Sequence, residues 1–309
     1  MVIDLVEGTT DTASVARIWS DVMRWMTLVP ESVEHYRASI PTVRDWLALV
    51  DGQPVGVGFC GVNPGMEESA AAFASVQVLP HARRQGAGTA LYRQVSRHAH
   101  SLEKSELEVF AFDDDPDGVA FAEHRSFKIV MRTRGLRLLL ADCARPSVDT
   151  PHDVTITTLA KRPELARGVW ETACEAEPDI PYDGDIPLSP GPFDQFVAIQ
   201  FAGPRYIPEA TFVAVHGGEV IGYAKLGWNN REAGVADHDM LAVRRAWRGK
   251  GVARALKAAQ IAWALDHDLT ELRTGNEERN VAARAVNAHF PYTPIPDGLV
   301  YRGPIAPGQ

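Results

Sequence analysis

Apolar positions along the chain follow two alternating periods. From Leu47 to Phe59, and again from Phe212 to Tyr223, β-forming residues run in short blocks broken by one glycine-bearing turn, Asp51-Gly52 in the first and Gly217-Gly218 in the second. Each block predicts a β-hairpin. Farther on, Val252, Leu256, Ala259 and Trp263 recur every three to four residues, the spacing of one helix face. A short strand is predicted at Leu107 to Phe112 and at Thr270 to Thr274. A second helix follows at Asp117 to Arg125 and at Asn280 to Ala288, then a closing strand at Lys128 to Leu139 and at Gly298 to Arg302. The whole pattern occurs twice. Gly222 follows Gly56 by 166 residues and Gly251 follows Gly86 by 165, so two features repeat in one register. A period this long means a duplicated domain, not a solenoid. Strands alternating with helices predict an α/β class (α+β, mixed sheet) in two tandem domains. Ala141 to His152, with Pro146, Ser147 and Pro151, has linker composition. It divides the chain into 1–142 and 153–309.

Between each strand and its amphipathic helix lies a short basic, glycine-bearing turn. The first reads Val78-Leu79-Pro80-His81-Ala82-Arg83-Arg84-Gln85-Gly86-Ala87-Gly88-Thr89. The second reads Val243-Arg244-Arg245-Ala246-Trp247-Arg248-Gly249-Lys250-Gly251-Val252-Ala253. A strand end, a glycine loop and a helix start make a phosphate cradle. First-turn N–H groups point out unpaired, the helix dipole adds positive charge, and arginines add more. A magnesium-nucleotide loop would need Ser or Thr after Gly-Lys, where Gly251 stands; a dinucleotide fingerprint would need a third glycine, where Leu91 stands.

What fits both copies is Arg-x-x-Gly-x-Gly/Ala, from Arg83 to Gly88 and from Arg248 to Ala253. This resembles motif A of the GNAT superfamily of N-acetyltransferases, in tandem two-domain form, and the resemblance covers most of both halves. It implies that acetyl-CoA is bound by the loop. In the second half the implied contacts are Leu241, Ala242 and Val243 on the strand, Arg248, Gly249, Lys250, Gly251, Val252 and Ala253 in the loop, and Asn276 and Asn280 beyond it. In the first half they are Val76 and Val78, then Arg83, Arg84, Gln85, Gly86, Ala87, Gly88 and Thr89.

Acyl transfer needs the attacking amine neutral, whereas a free alkyl amine has a pKa near ~10. The resemblance implies an acidic base six residues before the last apolar strand residue. That position is Asp237 in the second half; the same count in the first half reaches Ala72. Strand alternation predicts Asp237, Asp239, Leu241 and Val243 on one side and His238 on the other. His238 and Asp239 are further candidates for proton transfer. The tyrosine that family members carry on the second helix is replaced by Asn287 in one half and Ala122 in the other. Asn287 can hydrogen-bond the leaving sulfur but has no ionisable proton to give. The second half is therefore the expected enzyme and the first a degenerate copy whose loop either binds coenzyme A or merely keeps the fold. The alternative is a non-catalytic acyl-CoA-binding or sensing protein.

Composition narrows the setting. The chain has 309 residues, 45% hydrophobic and 23% charged, ordinary for globular domains. A net charge of −9 disfavours nucleic acid as a partner. Cys60, Cys143 and Cys174 have no paired or metal-type spacing, and no signal or membrane-spanning segment is seen, so no metal, no membrane and a cytoplasmic location are expected. Glu171 to Asp194 holds seven acids, five prolines and no Lys or Arg. It predicts a stiff irregular loop that would draw a small cationic amine as acceptor. The assembly expected is a monomer with pseudo-dimeric tandem domains, or a homodimer.

Overall fold

The computed structural model describes residues 2–307. The elements, in chain order, are β1 (Ile3–Glu7), α1 (Thr12–Val22), α2 (Pro30–Ser39), β2 (Arg44–Val50), β3 (Gln53–Gly61), β4 (Ala71–Val78), α3 (Ala87–Ser101), β5 (Glu106–Phe112), α4 (Pro116–Glu123) and β6 (Lys128–Leu139). They continue with β7 (Thr155–Thr158), α5 (Ala166–Ala176), α6 (Phe193–Gln200), β8 (Tyr206–His216), β9 (Glu219–Asn230), β10 (Val235–Val243), α7 (Val252–Asp266), β11 (Glu271–Glu277), α8 (Val281–Asn287), β12 (Thr293–Pro294) and β13 (Gly298–Pro304). The α/β class and the tandem mixed-sheet architecture are as the sequence predicts.

Two compact units form, and they differ from the contiguous halves 1–142 and 153–309. Unit 1 comprises residues 1–131, 183–186 and 298–309; unit 2 comprises 132–182 and 187–297. Strand pairing explains the difference. In unit 1 the sheet order is β1-β2-β3-β4-β5-β13, with β13 antiparallel to β5. In unit 2 it is β6-β11-β10-β9-β8-β7, with residues 133–139 of β6 antiparallel to β11. Each copy's closing strand therefore completes the other copy's sheet. The hydrophobic pattern identifies both strands and is silent on which edge they join.

Helices cover both faces of each sheet. In unit 1, Trp46 and Ala48 of β2 pack with Leu91 and Val95 of α3, while Leu47 between them packs with Val15 and Ile18 of α1. In unit 2, Phe212 and Ala214 of β8 pack with Leu256 of α7, and Val213 and Val215 with Val169 of α5. Alternate strand residues thus feed two cores, the period-two rule applied to a sheet buried on both faces. The repeated hairpin glycines have a specific task here. A Cβ on Gly56 would meet Leu91 Cδ1 at 3.2 Å and Gln77 O at 2.9 Å; one on Gly222 would meet Leu256 Cδ1 at 3.3 Å and Ala242 O at 3.0 Å. Both leucines are fully buried, each stabilising its unit by roughly 1.5–3 kcal/mol. The glycine in the hairpin and the leucine after the loop are one packing device, present twice.

Candidate active site

The two central parallel pairs separate partway along. β4 pairs β5 only from Ala71/Glu106 to Ala74/Val109, and β10 pairs β11 only from Val235/Glu271 to Asp237/Arg273. Beyond those points, Ser75–Val78 and His238–Val243 leave main-chain groups on the β5 and β11 sides without ladder partners. Val76 and Val78, and Leu241, Ala242 and Val243, lie on these free stretches. The basic turns close the wide end of each wedge. Gly86 (φ 96°) and Gly251 (φ 88°) cap α3 and α7 in the left-handed region, and no side chain caps either helix. Arg83 Nε donates to Val78 O at 3.2 Å, and Arg248 Nε to Val243 O at 3.1 Å, so both copies pin the turn to the strand end in the same way. One register place separates them. Gly249 has φ 73°, and Arg84, 165 residues earlier, holds φ 63° with a side chain attached. That strain costs on the order of 1 kcal/mol and marks the first turn as built rather than relaxed.

In unit 1 the wedge opens into a cavity of about 470 Å³, bordered by Val76, Gly86, Gly88, Thr89 and Phe121 among others. Arg125 lies 3.6 Å over the Phe121 ring and donates to Thr89 Oγ1 at 3.2 Å. Arg83 also borders this cavity, where it pairs with Asp115 (3.0 Å) and Asp117 (2.8 Å). Gln85 Nε2 donates to His81 O, and Ala87 is buried in the core. Residues 71–75 of β4 are Ala, Ala, Phe, Ala and Ser, so no carboxylate stands on this strand.

In unit 2 a bulge between His238 and Met240 changes the arrangement. Asp237 pairs with Gly227 and Arg273, whereas in unit 1 the residue paired between the matching strands is Phe73, opposite Gly61 and Glu108. The counterpart of Asp237 is therefore Phe73, not Ala72, and Asp239 is an inserted residue. The bulge also corrects the expected alternation. Met240 and Ala242 pack in the α5-side core, while Leu241 and Val243 lie in the α7-side core.

Asp237 and Asp239 share one guanidinium. Arg205 Nη2 lies 3.1 Å from Asp237 Oδ2 and 2.8 Å from Asp239 Oδ1. Asn229 Nδ2 also donates to Asp237 at 3.0 Å, and buried Lys225 Nζ lies 3.3 Å from Asp239 Oδ2. Gly227 admits the Asp239 carboxylate, because any Cβ there would overlap it. The two carboxylates are pushed in opposite directions. Burial raises the Asp237 pKa, Arg205 counteracting and Asp239 adding to it. Burial also acts to raise Asp239, but Lys225 and Arg205 outweigh it and hold Asp239 below the usual carboxylate range. Paired acids whose environments diverge are an acid–base arrangement. Burial lowers the Lys225 pKa, opposed by Asp239.

The other sequence candidates sit elsewhere. His238 points to α7: Nδ1 lies 2.8 Å from Gln260 Oε1 and Nε2 lies 2.7 Å from Tyr292 Oη. Burial, then Lys257, drive its pKa well below 6.5. It is a neutral, fully bonded ring. Asn287 is buried and donates to Asn276 Oδ1, and Asn280 caps α8 by accepting from Ala283 N at 3.1 Å. Lys250 lies 4.7 Å over the Trp247 ring; Val252 is buried, Ala253 half-buried and Gly249 exposed at the loop.

The acidic segment differs from the irregular loop expected. Glu171 and Glu175 lie on α5, whose apolar Val169, Ala173 and Ala176 form a core face. Glu171, Asp179 and Asp185 are bound to arginine side chains rather than displayed. Arg244 pairs with Glu171 at 3.1 Å, Glu175 accepts from Arg245 N, and Asp179 accepts from Arg245 (2.7 Å) and Arg248 (2.7 Å). The bonds from Arg245 and Arg248 pull Asp179 down to about 2. Asp185 pairs with Arg302 and Ser69 in unit 1. Sequence reasoning missed Arg205, Asn229 and Lys225, which have no motif. It also missed Lys257 and Gln260, whose signal was polar residues inside the apolar face of α7.

Among the described residues no helix is long and apolar enough to cross a membrane. The profile of the acetyltransferase (GNAT) family matches residues 13–127 and 175–289. A mycothiol acetyltransferase of Thermomonospora curvata is 26% identical over 263 residues, covering 84% of this chain and 82% of that protein. Among solved structures, a tandem GNAT protein from the clavulanic acid biosynthesis pathway superposes with a TM-score of 0.78 at 19% identity, covering 100% of both chains. A GNAT structure from Sphaerobacter thermophilus gives a TM-score of 0.72 at 17% identity, covering 99% and 97%.

Proposed function

Because the chain belongs to the acetyltransferase (GNAT) family and is an N-acetyltransferase, we propose that it moves an acetyl group from acetyl-CoA to the primary amine of a small molecule, with the chemistry in unit 2. The carboxylate pair at the β10 bulge carries this reading, since unit 1 has nothing like it. Acetyl-CoA supplies an activated thioester; the chain supplies position and proton transfer. The loop Arg248–Ala253 and the uncapped N-terminus of α7 bind pyrophosphate. The free main chain of Leu241–Val243 aligns the pantetheine arm. Asp237, the acid of raised proton affinity, takes the proton from the incoming ammonium, directly or through water, while Asp239 stays ionised and holds Arg205 and Lys225 in place. Asn287, fixed by Asn276, offers its amide to the leaving sulfur. The acids of 171–185 that arginines hold do not argue for a cationic acceptor, and Arg205 and Lys225 likewise balance the Asp237/Asp239 pair. Release of free coenzyme A thiol across a panel of amines tests the reading, and binding without release from any amine would contradict it.

Unit 1 favours binding without transfer. It has the wedge, the turn and the cavity, and no acid on β4.

The carboxylates facing the second loop lead to a separate expectation. Asp179 occupies Arg245 and Arg248, the guanidinium groups a pyrophosphate would use. Removing it in Asp179→Ala frees both arginines. Exposed ion pairs of this kind hold about 0.2–1 kcal/mol, so coenzyme A should bind roughly two- to fivefold more tightly at low salt. Calorimetry at two ionic strengths checks it: the gain should shrink at high salt. Weaker binding would mean that Asp179 positions the arginines rather than competing for them.

A further inference from the structure

The two copies differ most in what fills the space beside the wedge. α3 and α7 start at equivalent residues and have 15 residues each. Tyr92, Val95, Ala122 and Phe127 border the cavity of unit 1. The residues 165 positions later are Lys257, Gln260, Asn287 and Tyr292. Three apolar residues and a tyrosine in one copy become lysine, glutamine, asparagine and tyrosine in the other, and the replacements on α7 are buried: Lys257 is 3% exposed and Gln260 0%. Three residues apart on α7, Lys257 and Gln260 share a helix face.

Among the described residues one donor in this cluster has no acceptor, and the buried lysine beside it has no carboxylate. Gln260 Nε2 is buried without a hydrogen-bond partner. Lys257 Nζ lies 5.2 Å from the centre of the Tyr292 ring, and no carboxylate pairs with it among the described residues. The titratable groups facing it are His238 on β10 and Tyr292 after α8. His238, bonded at both nitrogens, is neutral, and burial drives the Tyr292 hydroxyl well above its ordinary value of 10. Neither supplies negative charge. Desolvation lowers the Lys257 pKa to about 7. A buried ammonium with no anion is costly and is retained most readily where an anion arrives during function.

The bound substrate would bring such an anion. On the coenzyme A reading given above, the sulfur of acetyl-CoA lies along the wedge near Asn287, and the unit 1 cavity shows that the counterparts of Asn287 and Lys257 border one space. We propose that Lys257 is a catalytic acid of unit 2 that protonates the departing coenzyme A thiolate, the task for which this chain lacks a tyrosine at Asn287. The balance is simple. The acceptor nitrogen bonds the acetyl carbon as the carbon–sulfur bond breaks, and that electron pair goes to sulfur. Sulfur takes a proton from the Lys257 ammonium, giving free thiol and neutral amine. Asp237, having passed the first ammonium proton to water, takes the second proton that the acceptor nitrogen loses once it is bonded to carbon, and exchange with water resets both groups.

The test uses coenzyme A itself and needs no acceptor. Thiolate ultraviolet absorbance of the bound coenzyme is followed against pH for wild type, Lys257→Met and Lys257→Arg. A thiol beside a cationic side chain ionises more readily. Because thiolate and ammonium stabilise each other, the arriving thiolate draws the proton back onto Lys257, and the bound thiol in wild type should ionise about one pH unit lower than in Lys257→Met, roughly tenfold more thiolate at a given pH in that range. Lys257→Arg, which keeps the charge, should retain the shift. Coenzyme bound in unit 1 contributes equally to all three proteins and cancels. The methionine matches the lysine stem, and a cooperative thermal transition confirms that it folds. Identical ionisation in all three overturns the proposal while leaving coenzyme A binding intact. If coenzyme A binds none of them, the reading beneath the proposal fails with it.

Discussion

Asp237→Asn should lower the rate of acetyl transfer by about 10²-fold or more with little change in coenzyme A affinity, in the range expected for loss of a general base. The asparagine still offers an oxygen to Arg205 and Asn229, so the bulge should keep its shape. Asp239→Asn should behave differently. It unpairs Lys225, which is 5% exposed, and takes one of two carboxylates from Arg205. Leaving a buried cation without its partner destabilises by several kcal/mol, so its main effect should be a lower Tm. Rate against pH separates the roles further. The raised pKa of Asp237 means that transfer falls, as pH drops, at a value above the ordinary carboxylate range. If both variants lower Tm and neither changes kcat beyond that loss, the pair is structural.

The second large effect is on stability. Lys257 has a pKa of about 7 when folded and 10.5 as its ordinary value. A depressed lysine binds fewer protons folded than unfolded between those values, so stability rises with pH across that window. Below about pH 7 both states are protonated and the penalty of the buried ammonium is present in full. Wild type should therefore gain on the order of 3–5 kcal/mol between pH 7 and pH 10 from this group. Lys257→Met should reduce the slope and raise Tm most at the acid end. Buried Lys225, whose pKa burial also lowers, adds to the slope in both proteins, and Cys60, pushed by burial from 9.0 up to about 12, opposes it above pH 9. His238, whose pKa burial also lowers, acts below its ordinary 6.5, and the buried hydroxyls of Tyr223 and Tyr292 act above 10, so both fall outside the window. Denaturant unfolding at a series of pH values reads the slope directly. A pH-independent difference between wild type and Lys257→Met would show that Lys257 finds a charge partner in solution.

Local chemistry was easiest to read from the sequence. Glycines at φ 88–96° leave few residue choices, so the two turns announce themselves by Gly86 and Gly251. The hairpin glycines repeat in register because Leu91 and Leu256 need the space. Long-range pairing was not legible. An edge strand with the right alternation fits either sheet, so β6 and β13 were placed with their neighbours in sequence rather than with the edges they join. A one-residue bulge is likewise invisible to counting. It moved Asp237 opposite Gly227, made Asp239 an insertion, and reversed the side on which Leu241 and Val243 lie. The acids of α5 were read as a loop because their prolines lie just beyond the helix end at Ala176. Arg205 and Lys225 come from irregular chain and from β9, too far along the sequence from Asp237 for spacing to join them.

On the proposed function, both turns hold acyl-CoA and transfer is confined to unit 2. Calorimetric titration of acetyl-CoA into wild type, Gly86→Glu and Gly251→Glu addresses that claim most directly. Both glycines hold left-handed backbone, and a glutamate there adds bulk and negative charge where pyrophosphate would lie. The prediction is two sites in wild type and one in each variant, with acetyl transfer lost only in Gly251→Glu. Loss of transfer in Gly86→Glu with retention in Gly251→Glu would place the chemistry in unit 1. Failure of wild type to bind acetyl-CoA would contradict the account as a whole.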